Sequence, residues 1–140
     1  MKRMTAKQYR NMKKRRRSKY GNRRVEIDGH TFDSKAEARY YSQLKLRKRA
    51  KEIKSFELQP RFRLQEGFNK DGNRYSPIDY VADFKIYHND GSVEIVDVKG
   101  HKTQVFRIKQ KMFEKKFPHK LTLVKWERGR FVEIDRKSVV

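Results

Sequence analysis

Short stretches in which apolar and polar residues alternate occupy most of this chain, and two longer stretches repeat apolar residues every three or four positions. Period two marks strands, and a period near 3.6 marks helices. Val25 to His30 reads as a short strand ending at Asp28-Gly29. In FDSKAEARYYSQLKLRKRAKEI, Ser34 stands three residues before Glu37, the spacing of a capping box, so a helix starts there. Ala36, Tyr40, Tyr41 and Leu44 form its apolar stripe, and the helix should reach Lys51 or Glu52. SFELQPRFRLQEGF reads as a strand interrupted by Pro60, which points to an edge position or a bulge. NKDGNRYSP is a turn or loop, DYVADFKIYH a strand and HNDGS a turn. VEIVDVK is the next strand. Thr103 then caps a second helix with Val105, Ile108, Met112, Phe113 and Phe117 at helical spacing, and Pro118 stops it. KLTLVKW, the tight turn ERGR and RFVEI close the series.

The core order is helix, three strands, helix, two strands. The strands flanking HNDGS form an antiparallel hairpin. A helix joining strand 93–99 to strand 120–125 is a crossover typical of parallel neighbours. The fold class is therefore α/β, with a mixed sheet flanked by helices. No internal repeat is present.

Charge changes the picture at the N-terminus. Residues 1–24 hold 12 Lys and Arg and no acid, out of 38 basic and 17 acidic residues in the chain. Like charges repel there and little can be buried, so residues 1–24 read as a flexible basic arm and 25–140 as one domain. Arg15, Arg16 and Arg17 are its candidate phosphate contacts. A net charge of +21 and a pI near 10.4 attract a polyanion, and nucleic acid is the expected partner. Apolar runs are too short to cross a bilayer, and no apolar stretch follows the basic N-terminus as a secretory signal requires. The absence of cysteine excludes disulfides and thiolate metal sites, and fits a reducing cytoplasm.

The candidate chemistry lies in EIVDVKGHKT. Asp97 and Lys99 are two apart on a strand, so both project from one face. Asp83, in the preceding strand, is a second acid. Two carboxylates on adjacent strands can hold Mg²⁺ through oxygen, and a lysine beside them can orient a water, the apparatus of metal-assisted phosphodiester hydrolysis. The hairpin register decides whether they meet. A two-residue Asp90-Gly91 loop would set Asp83 against Val98. A three-residue Asn89-Asp90-Gly91 loop sets His88 against Ser92 and Asp83 against Asp97, with Gly91 in the left-handed position. The nuclease reading requires the second. Asp79 shares the parity of Asp83 and competes with it, with a solvated strand-start acid as the plain alternative. Glu37 either closes the capping box with Ser34 or points to the metal cluster. Lys102 and Thr103 suit phosphate near a helix N-terminus. Lys109, Gln110 and Lys111 either bind the scissile strand or form a solvated helix face. Gln59-Pro60 shapes a cleft or simply packs. The four histidines show no zinc spacing.

Taken together, Phe32 to Ala38 (F-x-S-x-x-E-A), Gln59-Pro60, Tyr80 to Phe84 (Y-x-x-D-F) and Val96 to Gly100 (V-D-V-K-G) resemble the PD-(D/E)xK nuclease superfamily. More narrowly they resemble small phage endonucleases of the Holliday-junction-resolvase type and the nuclease subunit of Tn7-type transposases. Thr103 to Lys109 (T-x-x-F-x-x-K) is similar to the phage group. The resemblance spans about residues 20–125. It implies a restriction-endonuclease-like core, with Glu37, Asp83 and Asp97 serving Mg²⁺ (or Mn²⁺) and Lys99 as the catalytic lysine. Branched DNA is the substrate it implies, and paired nicks favour a homodimer. The sequence departs from the superfamily's name pattern in carrying Ala82, not proline, before Asp83. Two other readings remain: a non-catalytic nucleic-acid-binding or packaging protein, and a nuclease active only with a recombination or transposition partner.

Overall fold

A computed structural model describes Thr5 and residues 24–134. Arg15, Arg16 and Arg17, and nearly all of the basic arm, lie outside the described residues. The chain divides into two compact units, Met1–Tyr41 and Ser42–Val140, and helix α1 (Lys35–Arg49) spans the division.

In the first unit, β1 (Val25–Ile27) and β2 (His30–Phe32) pair antiparallel, so the single strand expected at 25–30 is a hairpin. Asp28 and Gly29 both take positive φ, 53° and 78°. Two such residues make the tight turn whose twist matches a hairpin. The Tyr41 hydroxyl donates to Asp28 Oδ2 at 2.9 Å, and its ring packs on buried Phe32 at 5.0 Å. The helix starts as expected, with the Ser34 hydroxyl accepting the Glu37 N–H at 3.1 Å.

The second unit is built on a five-stranded mixed sheet, ordered β11 (Arg130–Glu133), β10 (Lys120–Glu127), β9 (Val93–Val98), β8 (Phe84–Tyr87), β3 (Ser55–Leu58). Strand β9 is central. It runs parallel to β10, as the intervening helix requires, and antiparallel to β8. Helix α2 (Gln104–Lys116) supplies that crossover.

Strands β3 and β8 do not end where the sheet does. Pairing continues past a bend into β4 (Arg61–Gln65) and β7 (Ile78–Val81), a two-stranded sheet of their own. At the bend Gln59 takes φ +49° and donates its N–H to the Asp83 carbonyl at 2.9 Å, while Ala82 donates to the Pro60 carbonyl at 3.1 Å. Proline has no N–H to give to a ladder, and here it stands on the sheet's edge arm at the break. The stretch read as one strand, DYVADFKIYH, is thus two, with Asp83 at their junction. NKDGNRYSP is also more than a loop: β5 (Phe68–Lys70) and β6 (Asn73–Tyr75) form a hairpin over Asp71-Gly72.

One face of the main sheet carries Ile95, Leu121 and Leu123, packed with Phe106 and Phe113 of α2 and with Phe62, Leu64, Tyr80 and Ala82. The buried seam of α2 is Phe106, Gln110 and Phe113, whereas Val105 and Ile108, expected in the stripe, are 62% and 60% exposed. The helix has two adjacent apolar stripes, and the polar Gln110 disguises the one that faces the sheet. The expected cap is present, with Thr103 Oγ1 accepting the Phe106 N–H at 3.1 Å.

The β8–β9 hairpin takes the three-residue loop. The His88 N–H donates to the Ser92 carbonyl at 2.9 Å, the Gly91 N–H donates to the His88 carbonyl at 3.0 Å, and Gly91 has φ +88°. A side chain at that φ is strained, so Gly91→Ala should cost about 1–2 kcal/mol, read as a lowered thermal midpoint.

At the start of β9, Glu94 faces away from the Asp97 side. Its carboxylate accepts from Thr122 and pairs with His88 Nε2 at 2.8 Å, in a cleft of about 390 Å³ also lined by Asp90, Ser92 and Lys120. Burial pushes the Glu94 carboxyl up, but the Thr122 hydrogen bond and the His88 ring outweigh it and leave it below the usual range. A carboxyl lowered on folding stabilises the fold above its ordinary value of about 4.3, and that contribution is lost as pH falls through the lowered value. Wild type should therefore lose more thermal stability on acidification than Glu94→Gln. Melting curves across that acidic window check this.

Candidate active site

The pairing of β8 with β9 ends at Phe84 with Val96, and Asp83 follows at the bend, one residue beyond the ladder. Asp83 secures the strand end itself, its Oδ2 accepting the Val98 N–H at 2.7 Å. The bend at Ala82–Asp83 removes the chain from the ladder just there, so a side chain replaces a missing backbone acceptor.

Asp97 is 2% exposed, a deep position for a carboxylate. An unpaired charge there would be costly, and both its oxygens are engaged. Tyr80, reaching over from β7, donates its hydroxyl to Oδ2 at 2.5 Å. Lys99 Nζ stands 3.4 Å from Oδ1. Burial first, then Asp97, then Asp83, push the Tyr80 phenol far above its ordinary value, so it remains a neutral donor.

Lys99 continues β9 by donating its N–H to the Val124 carbonyl at 2.8 Å. Its ammonium also lies 4.3 Å from the centre of the Phe106 ring, a cation–π contact. A relay of local causes therefore fixes the lysine. Thr103 caps α2, the cap sets Phe106, and Phe106 and Asp97 hold the ammonium between them.

Asp79 is neither a member of this group nor a solvated acid. The bend carries it onto β7 opposite Arg63, where Arg61 and Arg63 pair with its carboxylate at 2.9 and 2.5 Å. The hydrogen bond from Arg61, with that from Arg63, holds its carboxyl below the ordinary range despite partial desolvation. Glu37 sits in the first turn of α1 in the other unit. Of the expected phosphate contacts, Lys111 is exposed, Lys102 and Lys109 are half-buried, and Thr103 is the exposed cap of α2. Gln110, read as either a contact to the scissile strand or a solvated position, is buried instead, and its Oε1 has no hydrogen-bond partner among the described residues. It lies on the seam between Phe106 and Phe113, two of the rings that pack on Tyr80.

Tyr80 is the residue that sequence reasoning gave no role. Its only sequence signal is its place in the Y-x-x-D-F run, and no spacing rule links a tyrosine on β7 to an acid seventeen residues on. Among the described residues no three or more His, Asp or Glu side chains group so as to hold a metal ion. The second unit thus offers two carboxylates about the end of β9, a lysine and a phenol.

The class defined by these features is a mixed α/β fold with a lysine–carboxylate group where its central strand ends. Residues 17–128 match the model of the family described as "Protein of unknown function (DUF1064)", and the chain belongs to that family. No curated protein and no solved structure matches it.

Proposed function

We propose that this chain is a Mg²⁺-dependent endodeoxyribonuclease with a restriction-endonuclease-like core, hydrolysing DNA phosphodiesters, with branched DNA as its leading substrate. The observation that supports this reading is the three-residue hairpin register, with the Asp83 carboxylate accepting the N–H of Val98, the residue between Asp97 and Lys99. A purely structural salt bridge between Asp97 and Lys99 makes no demand on that register.

Two carboxylates on adjacent strands are hard oxygen donors of the kind Mg²⁺ takes, so the donor set fits the ion. Asp83 and Asp97 would hold it, and Mn²⁺ is the natural substitute. When bound, such an ion acts as a Lewis acid and lowers the pKa of a coordinated water. The chain's own residues do the rest. Tyr80 locks one oxygen of Asp97 and so orients the other. Lys99 has three donors, of which one side faces Asp97, and those remaining can orient water or neutralise a phosphate oxygen. Lys102, Thr103, Lys109, Lys111 and the basic arm are the candidate phosphate contacts. Affinity dominated by such contacts falls steeply with salt and has little base preference.

One observation favours a second reading. Asp97 is almost fully buried with both oxygens engaged, as a structural ion pair would be. On that reading the chain is a non-catalytic DNA-binding or packaging protein. A third reading is a nuclease that acts only with a recombination or transposition partner.

One assay separates them. The protein is incubated with four-way-junction, linear and supercoiled DNA, in Mg²⁺ or in chelator. Cleavage in Mg²⁺ alone is the expected result. Binding without cleavage of any substrate would support the packaging reading, and cleavage only after a partner is added would support the third.

A further inference from the structure

The β5–β6 ribbon takes no part in the core or in the Asp97 group. All six of its strand residues are exposed, and it forms a two-stranded sheet of its own. Asp71 and Gly72, at φ 51° and 78°, close it with a tight turn. Phe68 pairs with Tyr75, Asn69 with Arg74, and Lys70 with Asn73. Opposed residues share a face and successive ones alternate, so one face carries Phe68, Tyr75, Lys70 and Asn73. Arg74, on the other face, packs across Gly67, where an added Cβ would stand 2.5 Å from its guanidinium.

The two rings stack at 4.8 Å and 13°, yet Phe68 stays 41% and Tyr75 46% exposed. A ribbon with no buried residue is marginal by itself, and it displays its two largest apolar groups to solvent. Two π-faces, an ammonium and an amide on one face match the parts of a nucleotide. A base stacks on a ring, a phosphate meets Lys70, and Asn73 can pair with a base edge. The charge of +21 makes a polyanion the complementary partner. A duplex offers base edges in its grooves, and only an unpaired base offers the flat face that a ring requires.

We infer that this face of the β5–β6 ribbon is a stacking platform for unpaired bases of DNA, with Lys70 at the adjoining phosphate. The inference rests on DNA as the substrate and adds what distinguishes a branch or flap from plain duplex.

Binding of the full chain is measured by fluorescence anisotropy in chelator, so that no cleavage intervenes. The probes are a duplex, and the same duplex with an unpaired segment carrying 2-aminopurine. Wild type should prefer the second probe and quench its fluorophore. Phe68→Leu combined with Tyr75→Leu keeps apolar bulk without a π-face, and should weaken that binding by about tenfold or more while changing duplex binding less than about twofold. Phe68→Tyr with Tyr75→Phe should restore the preference. Unchanged melting curves would show that the core is intact. Equal losses on both probes, or none, would overturn the platform while leaving the nuclease reading standing. A dimer lost in the double-Leu variant, with DNA binding unchanged, would assign the rings to a second copy instead. A wild type that binds neither probe would remove the DNA reading itself.

Discussion

Asp97→Asn should lower Mg²⁺-dependent cleavage by about a thousandfold or more, with DNA binding intact. The substitution is nearly isosteric. The amide oxygen can still accept from Tyr80, so the buried position stays filled and hydrogen-bonded. What disappears is the negative charge that faces Lys99 at 3.4 Å and that would hold the ion. Lys99→Ala should lower cleavage by about a hundredfold or more, the usual worth of a group that positions or moves a proton. Tyr80→Phe keeps the ring and removes the hydroxyl, and a loss of about 10–100-fold is expected of a group that orients a metal ligand. Asp79→Asn is the control, because that carboxylate is already taken by Arg61 and Arg63. Nicking of supercoiled plasmid measures all four variants, with anisotropy in chelator as the binding check. Cleavage that persists in both Asp97→Asn and Lys99→Ala would sink the site assignment.

Phe113→Ala should cost about 3–5 kcal/mol of stability, the largest single-residue effect on the fold expected here. Phe113 is fully buried, and Phe62, Tyr80 and Phe117 pack on it with ring centres 5.0, 5.6 and 5.1 Å away. Its removal opens a void at the point where α2, β4 and β7 meet, and it withdraws support from the ring whose hydroxyl holds Asp97. Ile108→Ala, one helix face away and 60% exposed, should stay within about 0.5 kcal/mol. Urea denaturation reads both as shifts in midpoint at unchanged slope. Equal costs for the two would mean that the helix packs on the stripe of Val105 and Ile108 after all.

The contrast between those residues shows where local reading fails. Periodicity located α2, its Thr103 cap and its end before Pro118. It placed Met112, Phe113 and Phe117 against the core but took Val105 and Ile108 for the first turns in place of Phe106, because a buried glutamine interrupts the true seam and a 3.6-residue period does not say which of two adjacent stripes meets the sheet. The same holds for Asp79 and Asp83. Both have the parity to face Asp97 along a straight strand. The bend at Gln59-Pro60 and Ala82-Asp83 sends Asp79 to two arginines and leaves Asp83 at the ladder's end. Pro60 announced a break in its own arm, but nothing in the sequence of the other arm says that it must bend in step.

The sequence alone determined whatever rests on neighbours along the chain. Strand alternation put Asp97 and Lys99 on one face, and a helix between two strands made β9 and β10 parallel, whereas the choice between a two-residue and a three-residue loop was left to the folded hairpin. Backbone geometry dictates these relations at short range. Tertiary structure decided how deeply Asp97 is buried, that Tyr80 and Phe106 hold the two halves of the ion pair, and that a ribbon with two stacked rings stands outside the core. Those outcomes depend on which surfaces meet after the chain folds, and contacts between distant residues leave no periodic mark on the sequence.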